Sequence, residues 1–285
     1  MKPAPFEFHA PDSEEEIHSL LDEHGDEARI LAGGQSLVPL MNMRVLQPSV
    51  IISLNRCHTL AYLEADGDCI RCGALTRQAT AEESKLVERH LPLLRAALPH
   101  VGVAANRNFG TVCGSLTHAD PLAELPSVAS ALDATFVITS ARGIREVGAD
   151  AFFVSALTTC IEPGEMLREV RFPKAARNAR CVFLEVANRA HGFAVAGLAA
   201  YVELDPEKRC TRARLAAMGM GDTAVRLSEA EALLENEALT EKVIDGAAMA
   251  ATGGVEPDGD AHASADHRRH LVGVLVKRAL GSALD

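Results

Sequence analysis

The sequence predicts an α+β protein built as three successive units, and three observations carry that reading. Over the first 56 residues, near-continuous apolar runs flank a short helical pattern, as in a small parallel sheet. A hairpin, several helices and further strands then continue to Pro173. Beyond Lys174, three strand-like runs follow one another before the chain turns helical. The expected units are 1–56, 57–173 and 174–285, the last with a three-stranded antiparallel sheet covered by helices.

In chain order, Ser13 and Glu16 form a capping box at the start of "SEEEIHSLLDEHG". Ile17, Leu20 and Leu21 share one face of that helix, and Gly25 suits its C-terminal stop. "ARILAGG" and "PSVIISLN" read as buried strands, with "SLVPLMNM" as a helical turn between them. "LAYLEADGDCIRCGALT" reads as a hairpin around Asp66-Gly67. Helical patterns occupy 77–101 and Leu122–Leu132. "ATFVITS", "GIREVGA" and "MLREVRFP" close the second unit as strands. After the polar connector "KAARNARC" come "CVFLEVANR", "AVAGLAAYVEL" and "CTRARLAAMGM". "SEAEALLENE", "TEKVIDGAAMAA" and "HRRHLVGVLVKRALGS" then read as helices, and no internal repeat is present.

Composition narrows the function. A chain of 285 residues with 48% hydrophobic residues has a real core. A net charge of −11 argues against a nucleic-acid partner, because phosphate backbones select basic surfaces. Absent tryptophan and few aromatics argue against base stacking. No apolar run reaches the roughly 20 residues of a membrane-spanning helix, and the N-terminal stretch lacks a signal-peptide apolar region. No membrane insertion is expected, and the cytoplasm is the expected location. Seven scattered cysteines suit reduced thiols there better than a disulfide framework.

"FGTVCGSLTHADPLAELP" (109–126) gathers Cys113, His118, Asp120 and Glu124. A thiol hydrolase would need a base within hydrogen-bond reach of the sulfur, which this spacing does not ensure. A metal site would need a second histidine at helical spacing, which is absent. Cys69 and Cys72 form a C-x-x-C, but strand alternation points residues three apart to opposite faces, so ordinary strand cysteines are expected. No Walker A loop and no G-x-G-x-x-G occur. Two glycine-containing turns remain. In "LAGGQSL" (Leu31, Ala32, Gly33, Gly34, Gln35, Ser36, Leu37), the absence of Cβ atoms lets backbone approach a ligand, and successive amides suit an anion. In "GTVCGSL" (110–116), Gly110, Thr111, Val112, Cys113, Gly114 and Ser115 offer amides and hydroxyls. Taken alone, an ordinary turn explains either loop equally well.

"AGGQSLVPLMNMR" (32–44), "RNFGTVCGSLTHADPLAELP" (107–126), "EMLREVRFP" (165–173) and "HASADHRRHLVGVLVKRAL" (262–280) together resemble the FAD-binding medium subunit of molybdenum hydroxylases. That group includes carbon monoxide dehydrogenase, quinoline oxidoreductase and nicotine dehydrogenase type enzymes and the xanthine dehydrogenase flavin domain. The resemblance implies a two-part FAD-binding domain of the vanillyl-alcohol oxidase/p-cresol methylhydroxylase type, followed by the family's C-terminal α+β domain. It implies FAD pyrophosphate contacts from Ala32 to Ser36 and from Thr111 to Ser115. It also implies a hydrogen bond from the cofactor to Asp120 and apolar contacts at Val101 and Leu167. Two departures stand out: Cys113 replaces a usual glycine, and "NRAHGFAVAG" (188–197) replaces R-x-G-D-F-A. The implied role is electron transfer without catalytic residues or metal ligands of its own. The implied partners are a small [2Fe–2S] subunit and a large molybdopterin subunit, in a dimer of heterotrimers. Two other readings stay open: a self-contained FAD reductase or oxidase using an imidazole such as His191, and a nucleotide-binding module without redox work.

Overall fold

The computed structural model describes residues 1–189 and 192–284. Its first unit comprises β1 (Glu7–His9), α1 (Glu14–His24), β2 (Ala28–Leu31), α2 (Leu37–Asn42) and β3 (Val50–Ser53). The three strands are parallel in the order β1-β3-β2, so β3 is central and all four of its residues are buried. Sequence reading found β2 and β3 but not β1, whose three residues have no apolar alternation and pair only through their backbone. Ser13 accepts the Glu16 amide at 3.2 Å, and Ile17 and Leu21 anchor α1 on this sheet. Gly25 ends α1 at φ 47°, a left-handed value that favours glycine.

The second unit comprises β4 (Leu63–Asp66), β5 (Cys69–Gly73), α3 (Gln78–Glu83), α4 (Lys85–His90), α5 (Pro92–Ala97), α6 (Ala104–Phe109), α7 (Val112–His118), α8 (Glu124–Ala131), β6 (Thr135–Ser140), β7 (Gly143–Gly148), α9 (Ala149–Phe152), β8 (Phe153–Ser155), β9 (Thr158–Thr159) and β10 (Met166–Pro173). Its five-stranded sheet runs β4-β5-β10-β6-β7, antiparallel throughout. The Asp66-Gly67 hairpin is present, with Gly67 at φ 52°. Phe136 and Phe152 stack at 3.7 Å in the core beneath α5 and α8. Cys72 is buried while Cys69 is half-exposed, as alternation requires. One carboxylate organises the opposite side of the sheet. Glu169 of β10 is fully buried and accepts from Tyr62, from Arg71 at 2.7 Å and from Arg171 at 2.5 Å. Its neighbour Arg168 reaches Glu14 of α1 at 2.7 Å, joining the first two units.

The third unit comprises β11 (Ala179–Ala187), β12 (Ala194–Leu204), β13 (Cys210–Met218), β14 (Val225–Arg226), α10 (Ser228–Leu234), α11 (Glu241–Gly253) and α12 (Ala265–Ser282). The antiparallel sheet has the three expected long strands plus β14, a two-residue fourth strand on the β13 edge too short to leave a sequence pattern. One sheet face packs on the three C-terminal helices and the other joins the second unit's core through Phe183, Ala199, Tyr201 and Met218. Burial on both faces explains why "AVAGLAAYVEL" is apolar without alternation. Thr240 and Ser264 cap α11 and α12.

Candidate functional site

The two glycine turns, about 75 residues apart in sequence, meet in space. A Cβ on Gly33 would lie 2.4 Å from the Phe109 carbonyl oxygen and 2.8 Å from the Gly110 Cα. No side chain fits there, so glycine is required by contact rather than by torsion. Gly34 adds the torsional requirement, at φ 72°. The turn between β2 and α2 leaves a row of backbone donors open. Among the described residues, no group accepts the N–H of Gly33, Gly34, Gln35, Ser36 or Leu37. Such a row on a half-exposed loop is a cradle for an anion.

Side chains outside the sequence motifs hold the two turns together. Asn55, just after β3, donates to the Ala32 carbonyl at 2.9 Å. Arg77 donates to Asn55 Oδ1 at 2.6 Å and also to the Phe109 carbonyl. Asn106 of α6 donates to Gln35 Oε1 at 2.9 Å. Gln78 lies against Gly110, where a Cβ would meet its Oε1 at 2.6 Å. Each of these four makes a contact across a long sequence separation, while Asn55 also donates to Ser53 and Asn106 also accepts the Val103 amide locally. Asn106 directly precedes a quoted motif, which was the one available signal.

The second turn differs from its sequence reading in one respect. Residues 112–118 form helix α7, with Thr111 as its N-cap. The Thr111 hydroxyl accepts the Gly114 amide at 2.9 Å, and the Ser115 amide returns to the Thr111 carbonyl. Val112 N–H is taken by the Thr76 carbonyl. Thr111 and Cys113 keep open amides among the described residues, so this jaw offers fewer backbone donors than the first. Cys113 does not crowd the turn. Its side chain points into the core, 2% exposed, with the thiol directed at the Cys72 carbonyl at 3.5 Å. Burial pushes that thiol well above its usual range, so it is neutral and unreactive.

Asp120 lies just beyond the C-terminal end of α7, a helix about 10 Å long whose N-cap is Thr111. Its Oδ1 accepts the Leu122 amide at 2.9 Å, and Oδ2 is left to an outside donor. Val101 is half-buried, and its carbonyl accepts from Arg107 at 3.2 Å. Leu167 is 5% exposed, paired with Ile138 inside the sheet, so its side chain belongs to the core behind the loops. Ala190 and His191 lie outside the described residues, including the imidazole of the self-contained enzyme reading. Burial, with Glu185 and Asp120 adding to it, pushes Glu124 up to about 7, and burial alone does the same to Glu185. No group of side chains suited to a metal ion occurs among the described residues.

An open amide row facing a glycine contact, with a hydroxyl and a free carboxylate oxygen further along, fits the pyrophosphate and hydroxyl groups of a dinucleotide such as FAD. The comparisons agree. Residues 4–175 match the family model described as the FAD binding domain in molybdopterin dehydrogenase. Residues 182–283 match the CO dehydrogenase flavoprotein C-terminal domain. Over its full length the chain is 40% identical to the 6-hydroxypseudooxynicotine dehydrogenase complex subunit alpha of Paenarthrobacter nicotinovorans, covering 96% of it. It is 33% identical to the carbon monoxide dehydrogenase medium chain of Hydrogenophaga pseudoflava, covering 99% of this chain and 98% of that one. A solved structure of carbon monoxide dehydrogenase from Hydrogenophaga pseudoflava superposes with a TM-score of 0.97 at 34% identity, over 100% of this chain and 99% of the other. Quinoline 2-oxidoreductase from Pseudomonas putida 86 gives 0.93, also at 34% identity, over 99% and 98%. Fold and site together define an FAD-binding oxidoreductase subunit. The chain belongs to the family of FAD-binding medium subunits of molybdenum hydroxylases.

Proposed function

We propose that this chain is the electron-transfer subunit of such a complex. It would pass electrons from the [2Fe–2S] clusters of a small partner subunit, through FAD, to a final acceptor. Substrate would be oxidised on a large molybdopterin subunit, with the three chains paired as a dimer of heterotrimers. The cytoplasm is the proposed location; among the described residues no helix is long and apolar enough to cross a membrane. Residues 1–56 and 57–173 would hold the cofactor between them, and 174–285 would back the second of these units.

The observation that carries this reading is the closure of two turns on each other at Gly33, with the amides of Gly33 to Leu37 open beside the contact. Those amides would bind the pyrophosphate, neutralising its charge by aligned N–H dipoles without a lysine. Leu31, Ala32 and Gly34 shape the first jaw, and Gln35 and Ser36 border it. Gly110, Thr111, Val112, Cys113, Gly114 and Ser115 form the second. Asp120 Oδ2 would accept from a cofactor hydroxyl, Val101 would supply apolar wall, and Leu167 would back that wall from the core. FAD supplies the change between two-electron and one-electron chemistry when bound. The protein's part is to bind it, orient it and tune its potential.

The test is Gly33→Ala in the purified protein. The added methyl group meets backbone at 2.4 Å, so the jaws must part. Flavin content is expected to fall at least severalfold while the circular dichroism of the fold is kept. Full flavin retention would show that the cofactor sits elsewhere.

A further inference from the structure

The wall behind Val101 and Asp120 contains ionisable groups that cofactor binding does not use. Strand β11 turns Val182, Leu184 and Val186 into the C-terminal core. Alternation therefore directs Cys181, Phe183 and Glu185 to the opposite face, toward α5. The Glu185 side chain is 7% exposed, and its Oε2 has no hydrogen-bond partner. The His100 Nδ1 stands 3.6 Å from that oxygen, and the imidazole itself is 40% exposed. Phe183 packs on the His100 ring at 5.2 Å and holds it beside the carboxyl. Glu124, at the start of α8, is a second carboxyl within electrostatic reach of Glu185 and Asp120, opposed by Arg107.

Among the described residues, Arg95 of α5 acts on Glu88. Tyr201 of β12 stands opposite Cys181 and donates to Glu203, four strand positions from the residue opposite Glu185. Cys181 is a thiol that burial pushes up to about 12, so it stays neutral. Strand β12 sets Gly197 opposite Glu185.

We propose that Glu185, Glu124 and His100 form a proton-holding cluster that takes up a proton as the flavin accepts electrons and returns it on reoxidation. The proposal rests on FAD being held as described above. Electrons added to the bound flavin make the local potential more negative and raise the proton affinity of nearby carboxyls. The proton comes from solvent by way of the exposed His100 ring. It forms an O–H bond on a carboxyl oxygen, and that bond breaks when the electrons leave for the acceptor. No further oxidant or reductant is involved. Burial pushes both carboxyls up to about 7, which lowers the cost of holding a proton on the cluster at neutral pH.

The experiment uses the FAD-loaded complex as purified, with Glu185→Gln and Glu124→Gln variants. The midpoint potential of the flavin is followed from about pH 6 to pH 9, and proton uptake on reduction is read with a pH indicator. The wild type is expected to take up up to about one more proton per flavin near neutral pH than either variant, with a steeper fall of potential with pH. Equal uptake and equal slopes in wild type and variants, all with full flavin, would overturn the proposal. If one variant fails to fold, the other decides on the same readouts. A wild-type complex that contains no FAD would instead refute the cofactor reading beneath it.

Discussion

Replacing Arg77 with methionine should loosen the cofactor cradle without unfolding the protein. Its guanidinium donates to the Phe109 carbonyl in the second jaw and to Asn55 Oδ1 at 2.6 Å, and Asn55 in turn holds the Ala32 carbonyl of the first. Each hydrogen bond from a charged donor contributes about 1.5–3 kcal/mol. Arg77 is half-exposed, so the lower end applies and the two bonds together contribute about 3 kcal/mol. If half of that sets the spacing of the jaws, FAD binding weakens by about 1.5 kcal/mol, or roughly tenfold. The remainder lowers the melting temperature by a few degrees. Arg77→Lys keeps the charge but cannot fork between two oxygens, and should fall between wild type and methionine. The assay is fluorescence titration of FAD into the deflavinated protein, with thermal melting in parallel. An Arg77→Met protein that binds FAD within about twofold of wild type while melting lower would refute the reasoning. Arg77 would then support the fold and nothing more.

Three further outcomes are expected. Glu169→Ala leaves Arg71, Arg168 and Arg171 around an empty buried position and should destabilise by about 3–5 kcal/mol, read by denaturant unfolding. Against the upward push of burial, hydrogen bonds from Arg71, Tyr62 and Arg171 hold the Glu169 carboxyl down to about 2. Its stabilisation is therefore complete above the ordinary carboxylate value of 4.5 and is lost as pH falls toward 2; a wild-type melting profile flat across that window would contradict this. Cys113→Gly should lower stability by about 1–3 kcal/mol, through a core void and a glycine in α7, yet keep FAD, because the thiol points away from the jaw. Loss of flavin from that variant at a temperature where it stays folded would place Cys113 in the cofactor contact.

Much of this architecture was legible in the chain, for identifiable physical reasons. Ser13, Gly25 and the Asp66-Gly67 turn act on neighbours a few residues away, so local pattern revealed them. β1 and β14 stayed hidden because strands of two or three residues are made by their partners' backbones, not by their own side chains. The glycine turns stood out because glycine is a local signature of close approach. Asn55 and Arg77 did not, since nothing near them in sequence announces that together they span two loops, nor is the contact of Gln78 with the second turn announced locally. Helix α7 was masked by Gly114, a poor helix former that the Thr111 cap makes tolerable. Glu124 and Glu185 are 61 residues apart in sequence and become a pair only when β11 packs on α5 and the rest of its sheet packs on α8.

In the proposed function, electrons pass through the flavin of this chain. The direct measurement is anaerobic rapid mixing of the intact complex with a substrate that supports its turnover, following flavin absorbance. The flavin is expected to bleach within the turnover time and to recover only when an acceptor is admitted. A flavin that stays oxidised while substrate is consumed would contradict the account.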